Sequence, residues 1–472
     1  MGYKLWDKFG NLIGEIESAS EYAFRDELGM YGCLFVCVII AVVVYVVKEF
    51  WYIFVLFALF VAVIWLIVKV IKNRMKRVFT DDLSLTHISL HNGFDSIEAD
   101  AFRGCSNLKT IEIPSTVTKI GERAFQNCRS LTFVEIPSSV TEIQSGAFEG
   151  CSMLSKIEIP SSVTVIGLSA FMRCSSLASI KIPQGVTEIS LHTFAGCSKL
   201  SNVELPSNLQ GIHIEAFRGC RNLINVNIPS NVRYIGHNAF NGCSALSSIN
   251  IPSNVKVIRW YTFRECKSLK SILIPSSVME IQAGAFEGCS LLTDIEIPSS
   301  VTKIGDGILG GCKNLTRISV AKDNPCFDSR GECNAIVRTS DNCLLGACKS
   351  TVVPDSVEII GVEAFAGCVD CERIEIPSKV TRICKDAFNG CSGLREFVLP
   401  TNVEFIGKNA FKGCCNLTAL YVNRLVPPII DEGDLGLCDN TYIFVPMSSL
   451  EVYKTAKGWE VYATNRVRII GC

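Results

Sequence analysis

The sequence predicts an α/β solenoid of 23-residue repeats, each coil giving one short parallel strand, a second extended piece and a short helical turn, preceded by an N-terminal transmembrane helical hairpin. Three observations carry this. Phenylalanines recur every 23 residues from Phe102 to Phe286, each is followed three residues later by a cysteine, and an apolar block runs from Tyr31 to Ile71. Composition narrows the function classes. Lys+Arg 45 against Asp+Glu 46 leaves a formal charge of -1 over 472 residues, which excludes a nucleic-acid partner held by phosphate neutralisation. Hydrophobic residues at 48% and a mean hydropathy of +0.32 exclude a disordered chain.

Residues 1–30 are mixed and polar, without the apolar core and small-residue cleavage site of a secretory signal. Trp6 stands where an N-myristoylation pattern needs Ser or Thr. Residues 31–71 are apolar except for Lys48, Glu49 and Lys69. As one helix this block would be about 60 Å long, twice the roughly 30 Å hydrocarbon core, so two spans turning at Lys48-Glu49 fit better than one at 50–68. Lys69, Lys72, Arg74, Lys76 and Arg77 follow at once, and the positive-inside rule assigns the basic linker 72–84 and everything after it to the cytoplasmic side.

The repeats are expected over 85–319 and 357–426, with an inserted module at 320–356 and a C-terminal cap at 427–472. One unit reads LKTIEIPSTVTKIGERAFQNCRS from Leu108. The alternation Leu108-x-x-Ile111-x-Ile113 is that of a short strand, which Pro114 ends by removing a ladder donor. Val117-x-x-Ile120 gives the second extended piece and Gly121 permits a turn. Ala124-Phe125-x-x-Cys128 has the spacing of one helical turn that drives Phe125 inward. No unit can bury its apolar face alone, so coils stack with Phe on Phe and Cys on Cys. Leu309 continues the Phe series, and after a longer interval Phe365, Phe388 and Phe411 resume it. Thirteen of the 24 cysteines, from Cys105 to Cys414, share one repeat position.

The unit L-x-x-I-x-I-P followed by V-x-x-I-G-x-x-A-F-x-x-C-x-x-L closely resembles the BspA-like leucine-rich repeats over residues 85–467. The stretch NPCFDSRGECNAIVRTSDNCLLGACKSTVVPDSV resembles a hairpin-like module recurrent in that family. TYIFVPMSSLEVYKTAKGWEVYA resembles its closing segment, in which Leu450, Tyr453 and Trp459 form the apolar side of a capping helix. The resemblance implies a surface-associated binding or adhesion molecule, with no catalytic residues and no cofactor. The family's usual secretory signal or wall anchor is replaced here by the apolar block and its cations. The repeats are therefore expected on the cytoplasmic side, with cell-surface or extracytoplasmic display as the alternative.

Little in the sequence suggests chemistry. His192, His213 and His237 fall at different repeat positions, and His87 and His91 have no companion at ligand spacing. There is no P-loop, no GxGxxG and no nucleophile elbow. Cys368-Val-Asp-Cys371 has redox spacing, yet Cys368 is a ladder cysteine and Cys371 replaces the repeat Leu, so both read as packing. Cys326, Cys333, Cys343 and Cys348 match no zinc pattern, and no metal is expected.

The candidate partner-binding residues are the outward positions of the first strand: Glu112, Phe133, Glu135, Lys156, Glu158 and Glu204, with Phe133 as the aromatic anchor. The expected protein is a membrane-anchored, non-catalytic scaffold for protein-protein recognition or adhesion. Its repeat domain is expected to be monomeric, with a protein ligand on the strand face and the bilayer around 31–71. The alternative is a redox- or metal-responsive membrane protein using the eleven off-ladder cysteines.

Overall fold

A computed structural model describes residues 37–46, 55–66, 79–431, 433–464 and 468–472. The chain divides into two compact units, Met1–Met75 and Lys76–Cys472. In the first unit residues 37–46 and 55–66 are helical. Among the described residues no helix is long and apolar enough to cross a membrane. Residues 1–30, the expected turn at Lys48-Glu49 and the cations from Lys69 to Arg77 lie outside the described residues.

The second unit is a stack of 23-residue coils held by three hydrogen-bonded ladders. In the first, Thr110–Glu112 pairs in parallel with His87–Ser89, Phe133–Glu135 with Lys156–Glu158, and Ser179–Lys181 with Asn202–Glu204. Each of these strands buries its middle residue and exposes the two flanking ones, so one face of the ladder is wet, except that Ile88 of the first strand is only half-buried. Pro114 then turns the chain, its carbonyl accepting the Val117 N–H at 3.1 Å. The second ladder is built from pairs of residues, Ser96–Ile97, Lys119–Ile120, Glu142–Ile143 and Val165–Ile166, again in parallel register.

The segment carrying Phe and Cys departs from the expected helical turn. In each coil the residues two before and two after the repeat Phe take left-handed backbone, as Arg123 (φ 52°) and Asn127 (φ 62°) do around Phe125. Tight turns result, and the N–H groups point along the stack: Phe102 N to Ala124 O, Phe125 N to Ala147 O and Asn127 N to Glu149 O, all at 2.7 Å. A single helical turn leaves nearly all of its own N–H and C=O groups unmatched, whereas the same groups find partners in the neighbouring coils. The unit is therefore a β-solenoid. Among its described residues α-helix is confined to Leu450–Thr455 and Glu460–Thr464.

Along the axis the phenylalanines form a stack of near-parallel rings, with centroids 5.3 Å apart for Phe102–Phe125 and 5.8 Å for Phe263–Phe286. The cysteines beside them are hydrogen-bond donors. The Cys128 thiol donates to Phe102 O at 3.0 Å, Cys197 to Phe171 O at 3.1 Å and Cys414 to Phe388 O at 3.1 Å. Those carbonyls also accept the N–H of the cysteine in their own coil, as Phe171 O does from Cys174 N. Burial holds the thiols protonated, and it pushes Cys197 and Cys312 up to about 12.

The ladders meet an interruption at the insertion. Ala335–Arg338 and Cys343–Ala347 form an antiparallel hairpin, and Cys343-Leu344 then pairs in parallel with Ile359–Ile360 to restart the second ladder. Nearly every residue of this hairpin is buried. Ile336, Cys343 and Leu345 join the core of the preceding coils, while Val337, Leu344 and Ala347 join that of the following ones. At the turn edge the stack continues past it, with Gly311 N–H donating to Ala366 O at 2.8 Å. Gly367 is required there, because it has φ +76° and a Cβ would lie 2.6 Å from Gly311 Cα. At the C-terminus Tyr442–Val445 and Arg468–Gly471 extend the first ladder. Trp459 is fully buried, donating from Nε1 to Pro428 O at 2.8 Å, and Tyr453 OH donates to Arg424 O at 2.8 Å.

Candidate functional site: the strand face

All six expected contact residues project from the exposed face of the first ladder. Glu112, Phe133, Glu135, Lys156 and Glu158 occupy three neighbouring coils, with Phe133 opposite Lys156 and Glu135 opposite Glu158. Glu204 stands apart, two coils beyond Glu158, opposite Lys181. Phe133 is 42% exposed although its neighbour Val134 is fully buried. The period-2 geometry of the strand forces that ring outward.

The charges on this face are partly neutralised. Lys156 Nζ lies 2.8 Å from Glu158 Oε1 in its own strand, and the lysine's hydrogen bond holds the Glu158 carboxyl below its ordinary range. Lys181 and Glu204 pair across coils at 3.3 Å, and Ser89 Oγ donates to Glu112 at 2.6 Å. Among the described residues Glu135 has no ion-pair partner. Exposed pairs of this kind contribute little stability, so the face stays available for contact. Over these three coils it presents one aromatic ring with an unpaired carboxylate two residues away; Tyr421, Tyr442 and Phe444 lie on the same ladder near its C-terminal end.

The groups that could carry chemistry are dispersed. His192 lies 3.3 Å from Glu215, His213 lies 3.0 Å from Glu188, and His237 packs on Trp260 at 4.8 Å between ring centres. Among the described residues no group of three or more His, Cys, Asp or Glu could hold a metal ion. The Cys368 and Cys371 thiols are hydrogen-bonded, which lowers Cys371 and raises Cys368. Sequence reasoning missed one covalent link: Cys415 and Cys438 form a disulfide with Cα atoms 5.3 Å apart. Its signal was a 23-residue separation, which places two off-ladder cysteines side by side in successive coils.

A family model described as the BspA type leucine rich repeat region matches residues 72–201, 187–316 and 341–433. Among solved structures, a leucine-rich cell surface protein from Faecalibacterium prausnitzii is 30% identical, covering 71% of this chain and 87% of its own, with a TM-score of 0.50. A leucine-rich repeat protein from Bacteroides ovatus is 26% identical, covering 82% of this chain and 93% of its own, with a TM-score of 0.53. No curated protein sequence matches this one. With the repeat, its three ladders and the matched family model in agreement over most of its length, the chain belongs to the BspA-type leucine-rich-repeat family.

Proposed function

We propose that the protein is a non-catalytic recognition or adhesion scaffold, anchored to a membrane through residues 31–71, that binds a protein ligand on its strand face. The observation that carries this reading is Phe133, exposed among the polar residues Glu112, Glu135, Lys156 and Glu158 of its own and the neighbouring coils. An aromatic ring on a rigid, flat surface makes large contact area at low entropic cost, which is the usual composition of a binding hot spot. The test is a binding assay with the full chain against surface-protein extracts, using Phe133→Ala and Glu135→Lys. Ligand capture that both variants leave unchanged would move the contact site elsewhere.

The side of the membrane is open to two readings. The disulfide Cys415–Cys438 and the cell-surface description of the Faecalibacterium relative favour extracytoplasmic display. The five cations after the apolar block favour the cytoplasm. We adopt the first, because a reducing cytoplasm would keep that disulfide open. Protease protection in intact cells decides it: repeats protected from added protease would overturn the choice.

A further inference from the structure

The turn edge of the stack carries an apolar column that the strand-face reading does not use. Ser169 N donates to Leu191 O, His192 N to Ile214 O, Glu215 N to His237 O and Asn238 N to Trp260 O, at 2.9–3.0 Å. Gly146 N donates to Leu168 O in the same way at 2.7 Å. These bonds align Leu168, Leu191, Ile214, His237 and Trp260 in one row over five successive coils. Leu168 is 50% and Trp260 53% exposed, and the three between them are half-buried. Elsewhere this repeat position holds Ala99, Glu122, Ser145, Ala283, Asp306, Val362, Lys385 and Lys408.

We propose that this column docks a short, extended protein segment with acidic residues at the end that meets Trp260. Its dimensions select the occupant. Four coil steps of about 4.8 Å give a row of roughly 20 Å, the length of about six residues of extended chain. A stable contact between two folded surfaces buries about 800 Å² on each partner, more than a row one side chain wide provides. Charge selects the polarity. Arg233 and Lys256 immediately precede the strands Tyr234–Ile235 and Val257–Ile258, Arg259 follows the second, and among the described residues none of the three has a carboxylate partner. Arg259 is held with its guanidinium 4.5 Å above the Tyr234 ring, whose other neighbour is His213 at 5.5 Å. Carboxylates near the middle of the row are already engaged, Glu188 by His213 and Glu215 by His192 and Arg218. The site is separate from the strand face, so either can fail without the other.

The experiment pans a displayed library of random twelve-residue peptides on the full chain in detergent, counter-selecting with Trp260→Asp. The expected winners carry alternating apolar residues with an acidic end. A synthesised winner should bind at least tenfold more weakly to Trp260→Asp and to Lys256→Glu/Arg259→Glu, and equally well to Phe133→Ala. Thermal melts confirm that the variants fold, and the double charge variant decides the matter if Trp260→Asp does not. No enrichment, winners without acidic residues, or winners insensitive to both variants would overturn the proposal. So would Trp260-dependent binding to phosphatidylserine vesicles with no peptide selected, which would make the row a lipid-facing surface.

Discussion

Replacing Glu363 by Gln should stabilise the repeat stack at neutral pH and flatten its pH dependence. The Glu363 carboxylate lies over two glycines of the preceding coil, where a Cβ on Gly310 would sit 2.6 Å from Oε2. It faces Glu287 and Asp386 as well as Lys385 and Arg264, and Arg264 is committed to Glu287 at 2.9 Å. Burial first, and then the two carboxylates, raise Glu363 from 4.5 to about 7. Because the folded state binds this proton more tightly than the unfolded chain, stability is unaffected below about pH 4.5, falls as pH rises towards 7, and stays reduced above it. The full shift would correspond to about 3 kcal/mol at about 1.4 kcal/mol per unit, and partial solvent access reduces this to about 1–2 kcal/mol. Urea unfolding of the full chain, followed by circular dichroism at pH 5 and 8, measures the difference between wild type and Glu363→Gln at each pH. The gap should open by about 1–2 kcal/mol between those values, with the variant the more stable at pH 8. A constant gap, or a variant less stable at pH 8, would refute the assignment.

Three further expectations concern the stack. Gly236→Ala should destabilise by about 2–3 kcal/mol, because its Cβ would meet Ile214 N at 2.5 Å, while Gly219→Ala, which has φ +73° but whose Cβ would make only ordinary 3.8 Å contacts with Gly196, should lose only about 1 kcal/mol; chemical denaturation of the two variants compares them. Alkylation of the native chain, mapped by mass spectrometry, should label exposed Cys472 and leave Cys197 and its ladder neighbours untouched until urea unfolds the coils. Cys438→Ser should destabilise the last coils by about 3 kcal/mol, the loop-closure value for a 23-residue separation, read as a lower urea midpoint for exposure of Trp459.

The 23-residue period, the inward set and the wet strand face were legible because strand alternation and strict repetition leave one way to bury Phe and Ile. The turn segment was not, since Ala124-Phe125-x-x-Cys128 places its apolar residues alike in a helix and in a succession of tight turns. What separates the two is backbone sign: Gly at 104, 150, 196 and 219 and Asn127 all fall at the left-handed position two after Phe. The Leu168–Trp260 row was hidden because that repeat position varies from Glu to Trp and follows no strand alternation. The Cys415–Cys438 link was masked because Cys415 directly follows the ladder cysteine Cys414, one residue out of the repeat register.

The inserted hairpin is an internal partition. With one face given to the coils before it and the other to those after, it divides the interior into two oil drops that share a wall. The turn edge is stitched directly across, with Gly311 N–H donating to Ala366 O and Glu363 lying over Gly307 and Gly310. Repeat stacks transmit stability between nearest neighbours, so such a wall limits how far a local opening spreads. Coils that open on one side of it leave the interior on the other side dry, much as a bulkhead confines flooding to one compartment.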